Sequence, residues 1–169
     1  MASIFHTNEL SFNKRSAPLP EFAFSSTDDL WKSVKASRLD FDVRRLEPGI
    51  FSYPYHFHRN AEEMFVILSG RALLRAPEGI TEVKEGDILF FEAGPGGAHQ
   101  LYNHTDQPCT YLDLSTLNGL DIAEYPDSGK INILPDQDIY HLGEKSDYYD
   151  GEERVREIWR SLGYPASTD

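Results

Sequence analysis

At 169 residues with a formal net charge of −12, the chain is long enough for one domain with a real core. It lacks the basic footprint that nucleic acid or an anionic membrane surface requires. Hydrophobic residues at 40% and charged residues at 26% are ordinary for a soluble globular protein. Cys109 is the only cysteine, so no intramolecular disulfide can form. The opening residues have neither the basic start nor the apolar run of a secretory signal, and no stretch is long enough to span a bilayer. Cytoplasmic location is the expectation.

Residues 1–35 show no sustained period and read as an N-terminal arm, with a short strand expected at Phe22-Ala23-Phe24. Leu39, Phe41 and Val43 then alternate with Asp40, Asp42 and Arg44, the pattern of a half-buried strand. Glu47-Pro48-Gly49 turns the chain into Ile50 to His58, a strand whose pairing Pro54 limits. Glu63 to Leu68 is short and apolar. Arg71 to Ala76 and Ile80 to Val83 flank the hairpin signal Pro77-Glu78-Gly79. Ile88 to Phe91, His99 to Asn103 and Cys109 to Ser115 complete a run of short strands joined by tight turns. No helix signal interrupts it from Asp40 to Ser115, so the fold class is all-β, a sandwich or barrel.

Beyond residue 118 the chain reads as loop-rich, with one strand at Lys130 to Leu134. Val155, Ile158, Trp159 and Leu162 form one apolar stripe, predicting a helix at about 151–162. Asp150 is its expected N-cap, with Glu153 three residues on, and Gly163 and Pro165 its stop.

The chemistry-bearing stretch is His56-Phe57-His58-Arg59-Asn60-Ala61-Glu62-Glu63. Two histidines one residue apart share a side of a strand. Imidazole suits Zn, Fe, Ni and related ions, and a carboxylate widens the choice towards Mn and Co. Glu62, adjacent to Glu63, faces the opposite way unless a bulge shifts the register. Leu101 and Asn103 share the direction of His99, while His104 points away. His6 and His141 read as surface residues. Arg59, Arg71 and Arg75 are cations that an anionic substrate could use, though each reads first as a surface charge.

His56-x-His58, four residues, Glu63, six residues, Gly70 is similar to the first conserved motif of the cupin superfamily. Gly86-Asp87 followed by His99, three residues and Asn103 resembles the second. The resemblance covers about residues 36–118 and implies a double-stranded β-helix, or jelly-roll, barrel there, with a C-terminal extension over 119–169. It carries His56, His58, Glu63 and His99 over as ligands of one divalent transition metal: Zn, Mn, Fe, Ni or Co. It departs from the pattern at Gly49, where six residues rather than five precede His56, at Glu92, where proline is usual, and at Gly94, separated from His99 by four residues rather than two. The glycines there can absorb the extra length.

Glu124 to Lys130 and Asp147 to Glu152 resemble a subgroup of bacterial single-domain cupins, some provisionally named sugar-phosphate isomerases. The implied function is a metal-dependent enzyme on a small polar metabolite, of isomerase, lyase or dioxygenase type. The alternative is a non-catalytic metal-dependent binder or sensor of a small molecule. A homodimer is also expected, because open sheet edges need cover.

Overall fold

A computed structural model of the chain describes residues 2–27, 30–143 and 145–163. The N-terminal arm contributes two short strands, β1 (Asn13–Lys14) and β2 (Ser25–Ser26), and one turn of helix, α1 (Leu30–Ser33). The barrel strands follow: β3 (Leu39–Leu46), the short β4 (Phe57–His58), β5 (Glu63–Ser69), β6 (Arg71–Ala76), β7 (Gly79–Lys84) and β8 (Ile88–Phe91). Then come β9 (Gln100–Tyr102), β10 (Cys109–Thr116), β11 (Asp121–Tyr125), β12 (Lys130–Leu134), β13 (Asp138–His141) and the helix α2 (Val155–Ser161). The all-β cupin barrel expected from the motifs is the architecture observed.

The strands form antiparallel sheets in the orders β1-β2-β3-β10-β5-β8, β13-β12-β11-β4 and β7-β6-β9. Sequence-adjacent hairpins account for β6–β7 and β11–β12, whereas β3–β10 and β10–β5 join distant parts of the chain. Inward-facing residues build the core, among them Leu46, Phe65, Ile67, Leu101, Cys109 and Tyr111. Each sits two residues from another inward residue on its strand, as the pleat requires.

Several local expectations are corrected. Phe22 closes a 3-10 turn at Pro20–Phe22, and the arm's second strand starts at Ser25 instead. Ile50 to His58 is not a continuous strand: Pro54 breaks it, leaving isolated bridges at Phe51 and His56 before β4. The segment after residue 118 is richer in strand than its loop-like composition suggests, since β11 pairs with β4 and β13 extends β12. Helix α2 is shorter than the apolar stripe. Its N-cap is Arg154, with no side-chain cap, and Asp150 instead accepts a hydrogen bond from Ser146. Gly163 receives the chain at φ +87°; Pro165 lies outside the described residues. The stripe residues Val155, Ile158 and Leu162 are exposed.

Alternation on β3 also runs against the simplest expectation. The polar row Asp42 and Arg44 faces the barrel interior with Leu46, opposite Asp113, Tyr111 and Cys109 of β10. The apolar row lies on the opposite face of the strand, where Val43 is buried and Phe5 of the arm meets Phe41 edge-on at 6.1 Å.

Candidate metal centre

His56 and His58 come to the barrel on the short β4 segment, which pairs with β11 on one side; the His56 backbone bridges His99 in a mutual pair of hydrogen bonds. Glu63 opens β5. The glycine loop before His99 is held tightly: the Gly94 amide donates to the His58 carbonyl at 2.7 Å, tying the loop to the histidine strand. At Gly97 a side chain is excluded, because its Cβ would meet the Glu92 carbonyl oxygen at 1.9 Å. The two extra loop residues and the nonstandard Glu92 therefore form one compact turn that delivers His99 inward.

The structure brings all four motif residues to one place. Ligand atoms of His56, His58 and Glu63 lie within 4.8 Å of one another, close enough to hold one metal ion. His99 joins them, its Nε2 lying 3.2 Å from Glu63 Oε2 and its ring centroid 4.9 Å from that of His56. Glu62 is exposed, as its parity requires, and its amide donates to Thr116 Oγ1. His104 lies outside the cluster against Glu82, and His6 and His141 are exposed. Arg59, Arg71 and Arg75 engage Glu124, Glu82 and Asp127 at the surface.

Each imidazole is oriented through its Nδ1. His56 donates from it to the Pro54 carbonyl at 2.9 Å, and His99 to the Gly97 carbonyl at 2.9 Å. His58 donates to the carboxylate of Asp121. A carbonyl oxygen only accepts, so His56 and His99 carry the proton on Nδ1 and present a bare Nε2. Partners of this kind fix ring orientation and raise ligand basicity in metal sites. Asp121 is the residue that sequence reasoning missed. It lies outside both motifs, and its only signal is the alternation Asp121, Ala123, Tyr125 in a stretch that reads as loop.

The electrostatics set apart the members of the cluster. Burial, with the neighbouring imidazoles, holds His56 well below the usual imidazole range, and burial lowers His99 to about 4. Burial also opposes charge on His58, but the bond to Asp121 and the nearby Glu63 outweigh it and raise its pKa. Glu63 is pushed up to about 7, first by burial and then by Asp113. Two cluster atoms, Glu63 Oε2 and His99 Nε2, face each other at 3.2 Å, both buried and neither with a hydrogen-bond partner among the described residues. Buried polar atoms left unsatisfied are costly, and a cation accepted by both relieves them. The donor set fits a divalent transition ion.

The Cupin domain family model matches residues 43–115, the stretch that carries all four residues. Among solved structures, a sugar phosphate isomerase of the cupin superfamily from Silicibacter pomeroyi is 22% identical with a TM-score of 0.71, covering 99% of this chain and 98% of that one. A protein from Acidithiobacillus ferrooxidans, provisionally named a sugar phosphate isomerase, is 22% identical with a TM-score of 0.68, over 83% and 97% of the two chains. A predicted oxalate decarboxylase from Thermotoga maritima is 18% identical with a TM-score of 0.56, over 68% and 99%. At these identities the likeness is one of fold. Among curated proteins no sequence matches.

Proposed function

We propose that the chain, whose residues 43–115 match the Cupin domain family model, is a metal-dependent enzyme acting on a small polar metabolite. The observation that carries this reading is the common orientation of the imidazoles. His56, His58 and His99 are each tied at Nδ1 to an oxygen, with the Glu63 carboxylate among them. In this reading the four are the ligands of one Zn, Mn, Fe, Ni or Co ion. Three neutral imidazoles and one carboxylate leave a site of about +1 with a divalent ion. When bound, such an ion supplies Lewis-acid polarisation of a carbonyl or carboxylate oxygen or, if redox-active, dioxygen chemistry.

The chain's own residues prepare the rest. Tyr53 and Tyr125 flank His56 at centroid distances of 6.1 and 5.7 Å, and Phe91 stacks on His99 at 3.7 Å. These rings keep bulk water from the imidazoles. Asp113 is buried nearby, and burial raises its pKa to about 6 despite its pairing with Arg44. Isomerisation, lyase chemistry and dioxygenation are the reactions compatible with this set. Sugar-phosphate isomerisation is the one for which two of the similar structures are named.

The test is elemental analysis of the purified protein, followed by a turnover screen against carbonyl, sugar and phenolic compounds with His56→Ala as control. Stoichiometric metal in the native chain, and turnover lost in the variant, are the expected results. Equal behaviour of the two proteins against every compound overturns the enzyme reading. The same reading includes a homodimer, supported by the exposed apolar residues Ile88 and Phe90 on the sheet edge β8. Light scattering at a monomer mass would remove it.

A further inference from the structure

Beside the imidazole cluster lie polar groups that metal binding leaves unused. Arg44 on β3 points inward, between Asp42 and Leu46 in the buried row. Its guanidinium pairs with Asp113 and lies 4.7 Å over the ring of Tyr53, which in turn meets His56. The guanidinium also meets the hydroxyl of Tyr111, which stands opposite Arg44 in the ladder, and the buried Nε has no hydrogen-bond acceptor of its own among the described residues. A charged donor in that state is a strong site for an added oxyanion, because its desolvation has already occurred.

On the other flank of His56 the β11–β12 hairpin supplies the wall. Tyr125 stacks on His56 with an interplanar angle of 19°. Asn132 stands opposite Ala123 in the ladder, and residues directly opposite share a face. That is the face from which Asp121 holds His58 and Tyr125 covers His56. The Asn132 amide donates to the Tyr125 hydroxyl, and its Oδ1 is buried with no donor among the described residues. One tyrosine flanking His56 thus carries an unmet donor behind it, and the other an unmet acceptor.

We infer that Arg44 and Asn132 are the specificity-determining pair of this site and select a small hydroxylated anion. Arg44 takes its carboxylate or phosphate oxygens and Asn132 receives a hydrogen bond from its hydroxyl. The inference rests on the metal-centre reading, since the anion would lie beside the bound ion. It agrees with the charge balance, because a loaded site of about +1 next to a neutral Arg44–Asp113 pair is completed by one anion. A guanidinium also matches the planar or tetrahedral oxyanion better than an ammonium does. The surface arginines Arg59, Arg71 and Arg75 are occupied by carboxylates of their own.

Calorimetric titration of the Mn(II)-loaded and the chelator-treated protein with glycolate, acetate, glycerol 3-phosphate and glycerol tests the pair. Glycolate or glycerol 3-phosphate should bind at least roughly tenfold more tightly than acetate and glycerol, and their order assigns the oxyanion. Arg44→Lys should weaken both hydroxylated anions roughly tenfold with metal content unchanged. Asn132→Leu should erase the preference of glycolate over acetate while leaving acetate itself untouched, a split that a merely structural role would not produce. Should Arg44→Lys fail to fold, the paired change Arg44→Met with Asp113→Asn removes both charges together and carries the same expectation. Glycerol binding as tightly as glycolate, or hydroxylated anions bound equally by wild type and Arg44 variant, overturns the inference. Arg44-dependent anion binding without metal uptake overturns the metal reading and upholds the pair. Metal uptake without anion binding does the reverse.

Discussion

The two ends of this barrel obey one pleat and hold opposite chemistry. Along β5 the inward residues run Glu63, Phe65, Ile67; along β10 they run Asp113, Tyr111, Cys109; along β3, Asp42, Arg44, Leu46; from the glycine loop into β9, His99 and then Leu101. Every row passes from ionisable to apolar in the same direction along the barrel axis, the last going on to the buried Asn103, whose amide donates to the Leu46 carbonyl. The apolar end excludes water and supplies the stability common to close-packed interiors. At the polar end Glu63 and Asp113 are buried near the inward Arg44, while Asp42 accepts hydrogen bonds from Thr27 Oγ1 and the Leu30 amide. Burial works against the Arg44 charge, yet Asp113 and the neighbouring tyrosines outweigh it and raise its pKa further. An interior so rich in carboxylates gains when a cation enters, which the apolar end does not.

The largest expected effect lies at the apolar end. Leu101 is fully buried, so Leu101→Ala should cost about 2–5 kcal/mol in urea unfolding of the metal-free protein. Metal stoichiometry of the folded fraction should stay unchanged, and a variant that loses metal at full stability would break the division between the ends. At the polar end, Asp121→Asn replaces the partner of His58 with a group of equal size. It should lower metal affinity roughly 10–100-fold, read by competition with a chromophoric chelator. Its effect on unfolding of the metal-free protein should be smaller than that of Leu101→Ala.

The four residues of the candidate metal cluster were visible in the sequence through the likeness of two spaced motifs to the cupin pattern: His56, His58 and Glu63 are local to one another, whereas His99, far downstream, joins them only by that resemblance. The strands were legible where turn chemistry bounds them, as at Arg71–Ala76 between Gly70 and the Pro77-Glu78 turn. Asp121 was not, because its role depends on β11 lying against β4 from 63 residues away, and no local period reports a distant pairing. Arg44 was hidden for a different reason. Alternation on β3 separates two rows without telling which faces inward, and the habit of burying the apolar row points the wrong way when the interior is itself polar. Helix α2 was legible in its stripe but not in its start, since Asp150 is drawn into a bond with Ser146 before it can cap.

Proton competition sharpens the contrast at intermediate magnitude. Near neutral pH the metal-free cluster holds its protons on Glu63, pushed up to about 7, and on His58, raised by Asp121 and Glu63 over the opposing effect of burial. His56 and His99 stay neutral across this range, since burial depresses both. A metal needs the Glu63 carboxylate and the His58 lone pair, so binding releases those protons. The sign follows: lowering the pH from 8 to 6 should weaken metal affinity by roughly tenfold or more, because Glu63 takes up its proton across that range. Titration in a series of non-coordinating buffers reads the slope. A flat profile across pH 6 to 8 would place the bound metal elsewhere.

The smallest effect is expected one residue away from the largest charge in the cluster. Glu62 and Glu63 are chemically identical neighbours, and only the pleat separates an exposed side chain from a buried one. Glu62→Gln should leave stability within about 0.5 kcal/mol of wild type and metal affinity unaltered. Glu63→Gln should remove metal binding while sparing the metal-free fold, because a neutral amide replaces a carboxylate that burial already disfavours as an anion. Similar metal loss from both substitutions would mean that the strand slips in register between them, moving every inward side chain of β5 to the outer face and undoing the polar-to-apolar order of the barrel.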